Sequence, residues 1–427
     1  MGEMKQEKLA DIYLAILKEE LMPAMGCTEP IAIAYCAAKA REVLGTLPDQ
    51  VQIGVSGNIV KNVKSVIVPN TDGLKGIAAS AAAGIVGGRP EKVLEVIAEV
   101  TSEQKQQMRE FLAQVPIKIQ PLDTEEQLDI LVTLHAEKEQ ASVRISGFHT
   151  NIVQVIKNGE TLYEAGVVAA TEVKLTDRSL LKVEDIYAFA EQVEISKVQE
   201  LLDRQIECNW AIAEEGLRHP YGANIGKVLL KTEGNTLKTK ARAYAAAGTD
   251  ARMNGCEMPV IINSGSGNQG MTASVPVIVY AGELGLPKEK LYRALVLSNL
   301  ITIHQKTGIG RLSAYCGAVS AGCGAGCGIA YLQGGDLKVI SHTLVNALAI
   351  VSGIVCDGAK ASCAGKIAAA VDAGIFGYQM YCEGQEFEGG DGIVSKGVEN
   401  TIHNVGRLGK IGMKETDKEI IRIMTEC

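Results

Sequence analysis

The sequence predicts an α+β protein: a mostly helical domain joined to a smaller α+β domain with an antiparallel sheet. Three observations carry this expectation. Period-two runs of Val and Ile are confined to 51–168, the pattern of half-buried strands. From about residue 183 onward apolar residues recur at helical spacing instead, as in Val198, Leu201, Leu202, Ile206, Ala213 and Leu217. Aromatic residues make up 4% of the chain while glycines number 46, which favours closely packed helices over aromatic-rich sheets. A chain of 427 residues holds one large or two ordinary domains. The expected division is 1–50 as N-terminal helices packing on the helical domain, 51–185 as the sheet domain, and 186–427 as the helical domain.

Taken in order, Leu9, Ile12, Tyr13, Ile16 and Leu17 predict an amphipathic helix over 4–21, stopped by Pro23. Thr28 is placed to cap a second helix over 31–44, with Pro30 in its first turn. Residues 51–56 and 59–69 read as strands, and 73–88 and 90–113 as helices, the latter opening at Pro90. Strands return at 117–119, 128–134, 143–145 and 152–156, with Asn158-Gly159 as a hairpin turn. The charged stretch 170–185 reads as an exit linker, and 415–427 as a short charged helix ending on Cys427.

Composition excludes some functions. Lys and Arg number 42 against 50 Asp and Glu, a net charge of −8 with no basic block, which argues against nucleic-acid binding. The uncharged runs 258–282, 312–335 and 339–356 are rich in Gly, Ser and Asn or interrupted by His342 and Asn346, so they read as interior helices rather than membrane spans. Residues 1–20 are charged and amphipathic, unlike a secretory leader. The eleven cysteines are an odd number on Gly/Ala-rich segments. A reducing cytoplasm is expected, where cysteine serves metal or catalysis more often than disulfides.

Several residues could carry chemistry. Cys316, Cys356 and Cys363 lie on small, Gly-flanked positions. Three thiolates could hold an iron–sulfur cluster with one iron open to substrate; buried core cysteines are the alternative. Cys27 sits beside a helix N-terminus, where the dipole favours a thiolate. Ser264-Gly265-Ser266-Gly267-Asn268-Gln269-Gly270 offers Gly-flanked amides suited to a carboxylate, or is an ordinary turn into a helix. His304 on an apolar helix is either a core residue or a substrate contact. Lys306, Arg311 and Lys366 could offset negative charge or be solvated surface. Cys323 and Cys327, C-x3-C beside Cys316, are explained by small-residue helix packing.

Residues 313–328 and 353–366, Met25-Gly26-Cys27-Thr28-Glu29-Pro30 and 264–270 together resemble the iron–sulfur L-cysteine desulfidase family, a relative of the iron–sulfur L-serine dehydratases. The likeness extends to 404–417 and covers nearly the whole chain. It implies a [4Fe–4S] cluster on Cys316, Cys356 and Cys363, with Cys27 as the catalytic base. Thr28, Glu29, Ser266, Gly267, Asn268 and His304 become the candidate substrate contacts, and Cys427 a removable fourth ligand. The implied reaction is β-elimination of L-cysteine to sulfide, ammonia and pyruvate, without pyridoxal phosphate. L-serine dehydration by the same machinery is the nearest alternative, and a non-catalytic cluster-bearing sensor is another. The expected partner is a small amino-acid substrate, with no nucleic acid and no membrane; a homodimer is left open.

Overall fold

The computed structural model describes residues 2–165, 175–310 and 312–426. The chain is α+β and mostly helical, as the sequence predicts. It opens with α1 (Gly2–Glu20), β1 (Pro23–Met25) and α2 (Thr28–Leu44). The sheet unit follows: β2 (Gln50–Val55), α3 (Gly57–Val63), α4 (Gly76–Gly87), α5 (Ser102–Gln114), β3 (Ile117–Pro121), β4 (Asp129–Ala136), β5 (Glu139–Ser146), β6 (Ile152–Lys157) and β7 (Glu160–Glu164). The helical unit holds α6 (Val183–Gln192), α7 (Gln199–Arg218), α8 (Ile225–Glu233), α9 (Leu237–Met253), β8 (Pro259–Ile261), α10 (Gly267–Glu283), α11 (Lys288–Ile309), α12 (Gly317–Leu332), α13 (Leu337–Val351), α14 (Ser362–Cys382), α15 (Val398–Arg407) and α16 (Lys414–Glu426). No helix among the described residues is long and apolar enough to cross a membrane.

The main sheet runs β3-β2-β4-β5-β6-β7. Its pairs are antiparallel except β2 with β3, which run parallel, so the sheet is mixed rather than antiparallel throughout. The parallel edge arises because the connection from β2 to β3 passes through α3, α4 and α5, and so can return in the same direction. A second, two-stranded sheet joins β1 to β8.

Three expectations are corrected. Residues 59–69 are not a strand: 57–63 form α3, because Ile59 and Val63 share a buried face at helical spacing. Only Ile67 keeps an extended bridge, to Lys75. The single helix over 90–113 is a 3₁₀ turn at Pro90–Glu95, broken where Val93 takes φ +52°, followed by α5. Thr101 and Gln104 form a reciprocal capping box that starts α5 afresh. Of the stretch 170–185, residues 170–174 lie outside the described residues, and α6 has already begun at Val183.

Two cores organise the molecule. The larger joins α1 through Tyr13, Ile16 and Leu17 to α10–α14. The smaller lies under the sheet, with Val51, Ile53, Ile130, Val132 and Val143 among its members. α2 serves both: Ile31, Ala34 and Ala38 belong to the first, and Ala32, Ile33, Cys36 and Ala40 to the second. Along α12 the glycines admit a neighbouring backbone. A Cβ on Gly326 would lie 2.6 Å from the Gly374 carbonyl carbon in α14. Cys323 and Cys327 are buried in this helix, in keeping with a packing role.

Candidate active site

The β1–β8 ribbon sets Met25 opposite Pro259 and so brings the Gly26-Cys27-Thr28 turn against the segment that follows β8. The Thr28 hydroxyl donates to the Gly265 carbonyl at 2.8 Å. Cys27, not Thr28, is the N-cap of α2, one residue earlier than predicted. After β8 the chain turns tightly: Asn263 and Ser266 exchange backbone hydrogen bonds at 3.1 and 3.0 Å, and Ser264 adopts φ +50°. α10 then starts at Gly267, and the first amides of a helix have no intrahelical acceptor.

The three cysteines are held by two features. Tyr315 and Val355 form an isolated antiparallel bridge, with Cys316 N donating to Ile354 O at 3.1 Å and Cys356 N to Ala314 O at 2.6 Å. Cys316 caps α12, and Cys363 lies in the first turn of α14. Cys27 and Cys363 share a small apolar cluster with Val66, Met253 and Ala359.

These segments line one cavity of about 100 Å³. Its walls include Cys27, Thr28, Glu29, Ser266, Gly267 and Asn268, together with Cys316, Cys356 and Cys363. Of the described residues predicted for the site, His304 and Lys366 are not on its walls. The Nε2 of His304 is 2.7 Å from Glu399 Oε2, so α15 engages the ring. A larger cavity of about 690 Å³ adjoins and shares Ser264, Lys306 and Leu312 with the smaller one. Arg311 and Cys427 lie outside the described residues.

Sequence reasoning missed Arg252 and Glu29's neighbours Asn62 and His149, and gave Gln269 no role beyond its place in the 264–270 turn. Arg252 is 2% exposed. Its guanidinium donates to the Gly26 carbonyl and to Asn268 Oδ1, tying the Cys27 turn to α10. A Cβ on Gly267 would sit 2.7 Å from Arg252 Nε and closer still to the rest of the guanidinium, so glycine here lets the guanidinium lie against the start of α10. The available signal was a lone arginine after the alanine-rich run of α9.

Burial dominates the electrostatics. It pushes the Cys27 thiol up to about 12, the nearby Arg252 guanidinium pulling it down and Glu29 and Cys363 pushing it further up. The expected thiolate stabilisation by the α2 dipole is therefore outweighed: Cys27 Sγ faces Met253 Sδ at 3.7 Å in apolar surroundings. Burial would raise the Glu29 carboxyl as well, but the His149 ring and the Thr28 hydroxyl outweigh it and leave it below its ordinary value. Asn62 Nδ2 donates to Glu29 Oε1 at 3.0 Å, and His149 Nε2 stands 3.8 Å from the same oxygen. Cys316 is pushed up to about 12 by burial and by Cys356 and Cys363. Lys366 pulls Cys316 and Cys363 down, while donating to Val355 O at 2.9 Å and pairing with Asp357.

A family model described as serine dehydratase alpha chain matches residues 91–422. A UPF0597 protein of Desulfitobacterium hafniense is 64% identical over 420 residues, 98% of each chain. One of Lachnoclostridium phytofermentans is 52% identical, covering 96% of this chain and 98% of its own. One of Treponema denticola is 47% identical over 99% of each. The family match takes in Arg252, the 263–270 turn and all three clustered cysteines, and the chain belongs to the serine dehydratase alpha chain family.

Proposed function

We propose that this chain is an iron–sulfur lyase that eliminates the β-substituent of a small α-amino acid, with L-cysteine as substrate and sulfide, ammonia and pyruvate as products. The observation that carries this is the meeting, in one small cavity, of Cys27, the turn at 264–268 and Cys316, Cys356 and Cys363.

Cys316, Cys356 and Cys363 would hold a [4Fe–4S] cluster. Among the described residues no group of three or more His, Cys, Asp or Glu side chains could hold a single metal ion. A cube asks for something else, since each thiolate takes its own iron. Cys316, Cys356 and Cys363 line one cavity, and burial with the neighbouring Cys356 sulfur holds the Cys316 and Cys363 thiols up while Lys366 pulls them down, a donor set that fits. When bound, the cluster supplies an open iron as a Lewis acid for the leaving group.

The chain's own residues do the rest. The amides at the start of α10 and the Arg252 guanidinium offer donors to the substrate carboxylate, and neutralising it acidifies the Cα proton. Cys27 Sγ takes that proton. The Cβ–S bond breaks as the Cα–Cβ double bond forms, and sulfide leaves. The aminoacrylate tautomerises to an imine, which water hydrolyses to pyruvate and ammonia. A thiol pushed up to about 12 is seldom ionised near neutral pH, but its thiolate is strongly basic, as a weakly acidic C–H requires.

L-serine dehydration by the same residues is the second reading, favoured by the description of the family. The short spacing from Cys356 to Cys363 favours cysteine. So does Cys-Asp-Gly at 356–358 where the serine dehydratases carry Cys-Asp-Pro: Gly358 has φ +92°, which proline cannot adopt. The test is release of sulfide and pyruvate from L-cysteine, and of pyruvate from L-serine, by anaerobically purified protein. Product from serine alone would move the assignment to the second reading. No product from either would remove the lyase.

A further inference from the structure

We infer that the cavity is built to hold a zwitterion, with Arg252 seating the carboxylate and Glu29 seating the ammonium group; this rests on the small-amino-acid reading above. Charges of both signs line the same small cavity, Arg252, Lys61 and Lys306 against Glu29; Lys61 is held by Asp417, and Arg252 and Glu29 are each engaged by other residues. Arg252 spends its two terminal nitrogens on neutral oxygens, those of Gly26 and Asn268. Glu29 is met by Asn62 at 3.0 Å and approached by His149 at 3.8 Å.

Among the described residues, four buried polar atoms on the walls of this cavity lie beyond hydrogen-bond distance of a partner: Arg252 Nε, Asn62 Oδ1, Gln269 Oε1 and His149 Nε2, the last 3.8 Å from Glu29 Oε1. All four residues are at most 6% exposed. Unpaired polar atoms are rare in a native interior, so four around one cavity point to a ligand. Their chemistry divides by charge. Arg252 Nε can only donate, which suits a carboxylate. Asn62 Oδ1 and Gln269 Oε1 can only accept, and with the Glu29 carboxylate they suit an ammonium group. His149, from the β5–β6 connection, makes the sheet unit part of the Glu29 side. At about 100 Å³ the space lies far below that of drug-sized pockets.

Spanning both seats also restricts the reaction. In an α-amino acid the two charged groups share one carbon, and Arg252, Glu29 and Cys27 line the same cavity, so a ligand held at both ends has its Cα between them in the space that Cys27 lines.

The test is calorimetric binding of unreactive analogues to the full-length, anaerobically purified protein. L-alanine carries both charges, propionate only the carboxylate and ethylamine only the ammonium. L-alanine should bind, and each single-charge analogue should bind about thirtyfold more weakly or worse, the consequence of stranding one buried charge. Glu29→Gln, nearly isosteric, should bring L-alanine down to the level of propionate without weakening propionate itself. Failure of L-alanine to bind the wild type overturns the inference, as does propionate or ethylamine binding as tightly as L-alanine. The wild-type comparison needs no variant to fold. L-alanine binding without turnover of cysteine or serine would sink the reaction and leave the zwitterion site standing. Turnover with propionate binding as tightly as L-alanine would do the reverse.

Discussion

Replacing Gly267 by alanine forces a new methyl and the Arg252 guanidinium into one space. The added carbon would lie 2.7 Å from Nε and nearer to the outer atoms, so the arginine must move. α10 itself would gain up to about 1 kcal/mol in helix propensity. Overpacking costs roughly 1–3 kcal/mol. If the guanidinium swings away, its charge-assisted hydrogen bonds to Gly26 and Asn268 go too, at about 1.5–3 kcal/mol each. The expected net is a destabilisation of at least about 2 kcal/mol. Gly282→Ala is the control: it lies in the same helix with nothing within 4 Å of its Cβ position, and should be neutral or stabilising by up to about 1 kcal/mol. Urea unfolding with unchanged slope measures both. Turnover should fall in Gly267→Ala alone, because the displaced arginine links the Cys27 turn to α10. If Gly267→Ala were as stable and as active as Gly282→Ala, the argument that Arg252 organises the site would fail.

Three further outcomes are expected. Cys27→Ser should keep its iron and bind substrate, yet lose deuterium uptake at Cα in heavy water; wild-type exchange would show that another group is the base. Cys356→Ala should lose both activity and iron, against about four irons per chain in the wild type, and full iron in the variant contradicts the ligand set. Asp250 is buried, and desolvation raises its carboxyl to about 6 despite amide donors from Ile225, Gly226 and Ala223. The native state thus keeps a proton that the unfolded chain has lost between about pH 4 and 6. Stability from this group is full below that window and falls as pH rises through it, by about 3 kcal/mol. Asp250→Asn should remove that loss, and parallel stability profiles of variant and wild type from pH 4 to 7 would contradict it.

The sequence made the residues that meet in the small cavity legible better than their supports. Cys27 at a helix start, the Gly-rich turn and the three late cysteines all stand on small-residue segments whose pattern is local. Arg252 was not legible, because nothing near it says that Gly26 and Asn268 will receive its guanidinium. Those partners lie 226 and 16 positions away and meet it only through tertiary closure. His304 failed for the same reason in reverse: an unforeseen partner, Glu399, claims it. Among the elements, 59–69 misled because a short run of Ile and Val fits both periods. Ser56 and the polar residues Asn58, Lys61 and Asn62 suit one face of a helix, and Lys61 there meets Asp417 of α16 at 2.5 Å. The break before α5 was passed over in reading 90–113 as one helix, although Thr101 and Gln104 are spaced as a capping box.

The β1–β8 ribbon has a consequence for biosynthesis. Pro23–Met25 waits for Pro259–Ile261, and at the pace of about 5–20 residues per second the ribosome needs roughly ten to fifty seconds to deliver the second strand. Through that interval the Cys27 thiol has neither Arg252 nor Met253 beside it, and Cys316, Cys356 and Cys363 have not yet been made. Closing so long a loop is also entropically slow. The cavity that Cys27 lines is therefore completed only late in synthesis, once the segments around Cys316, Cys356 and Cys363 have joined it.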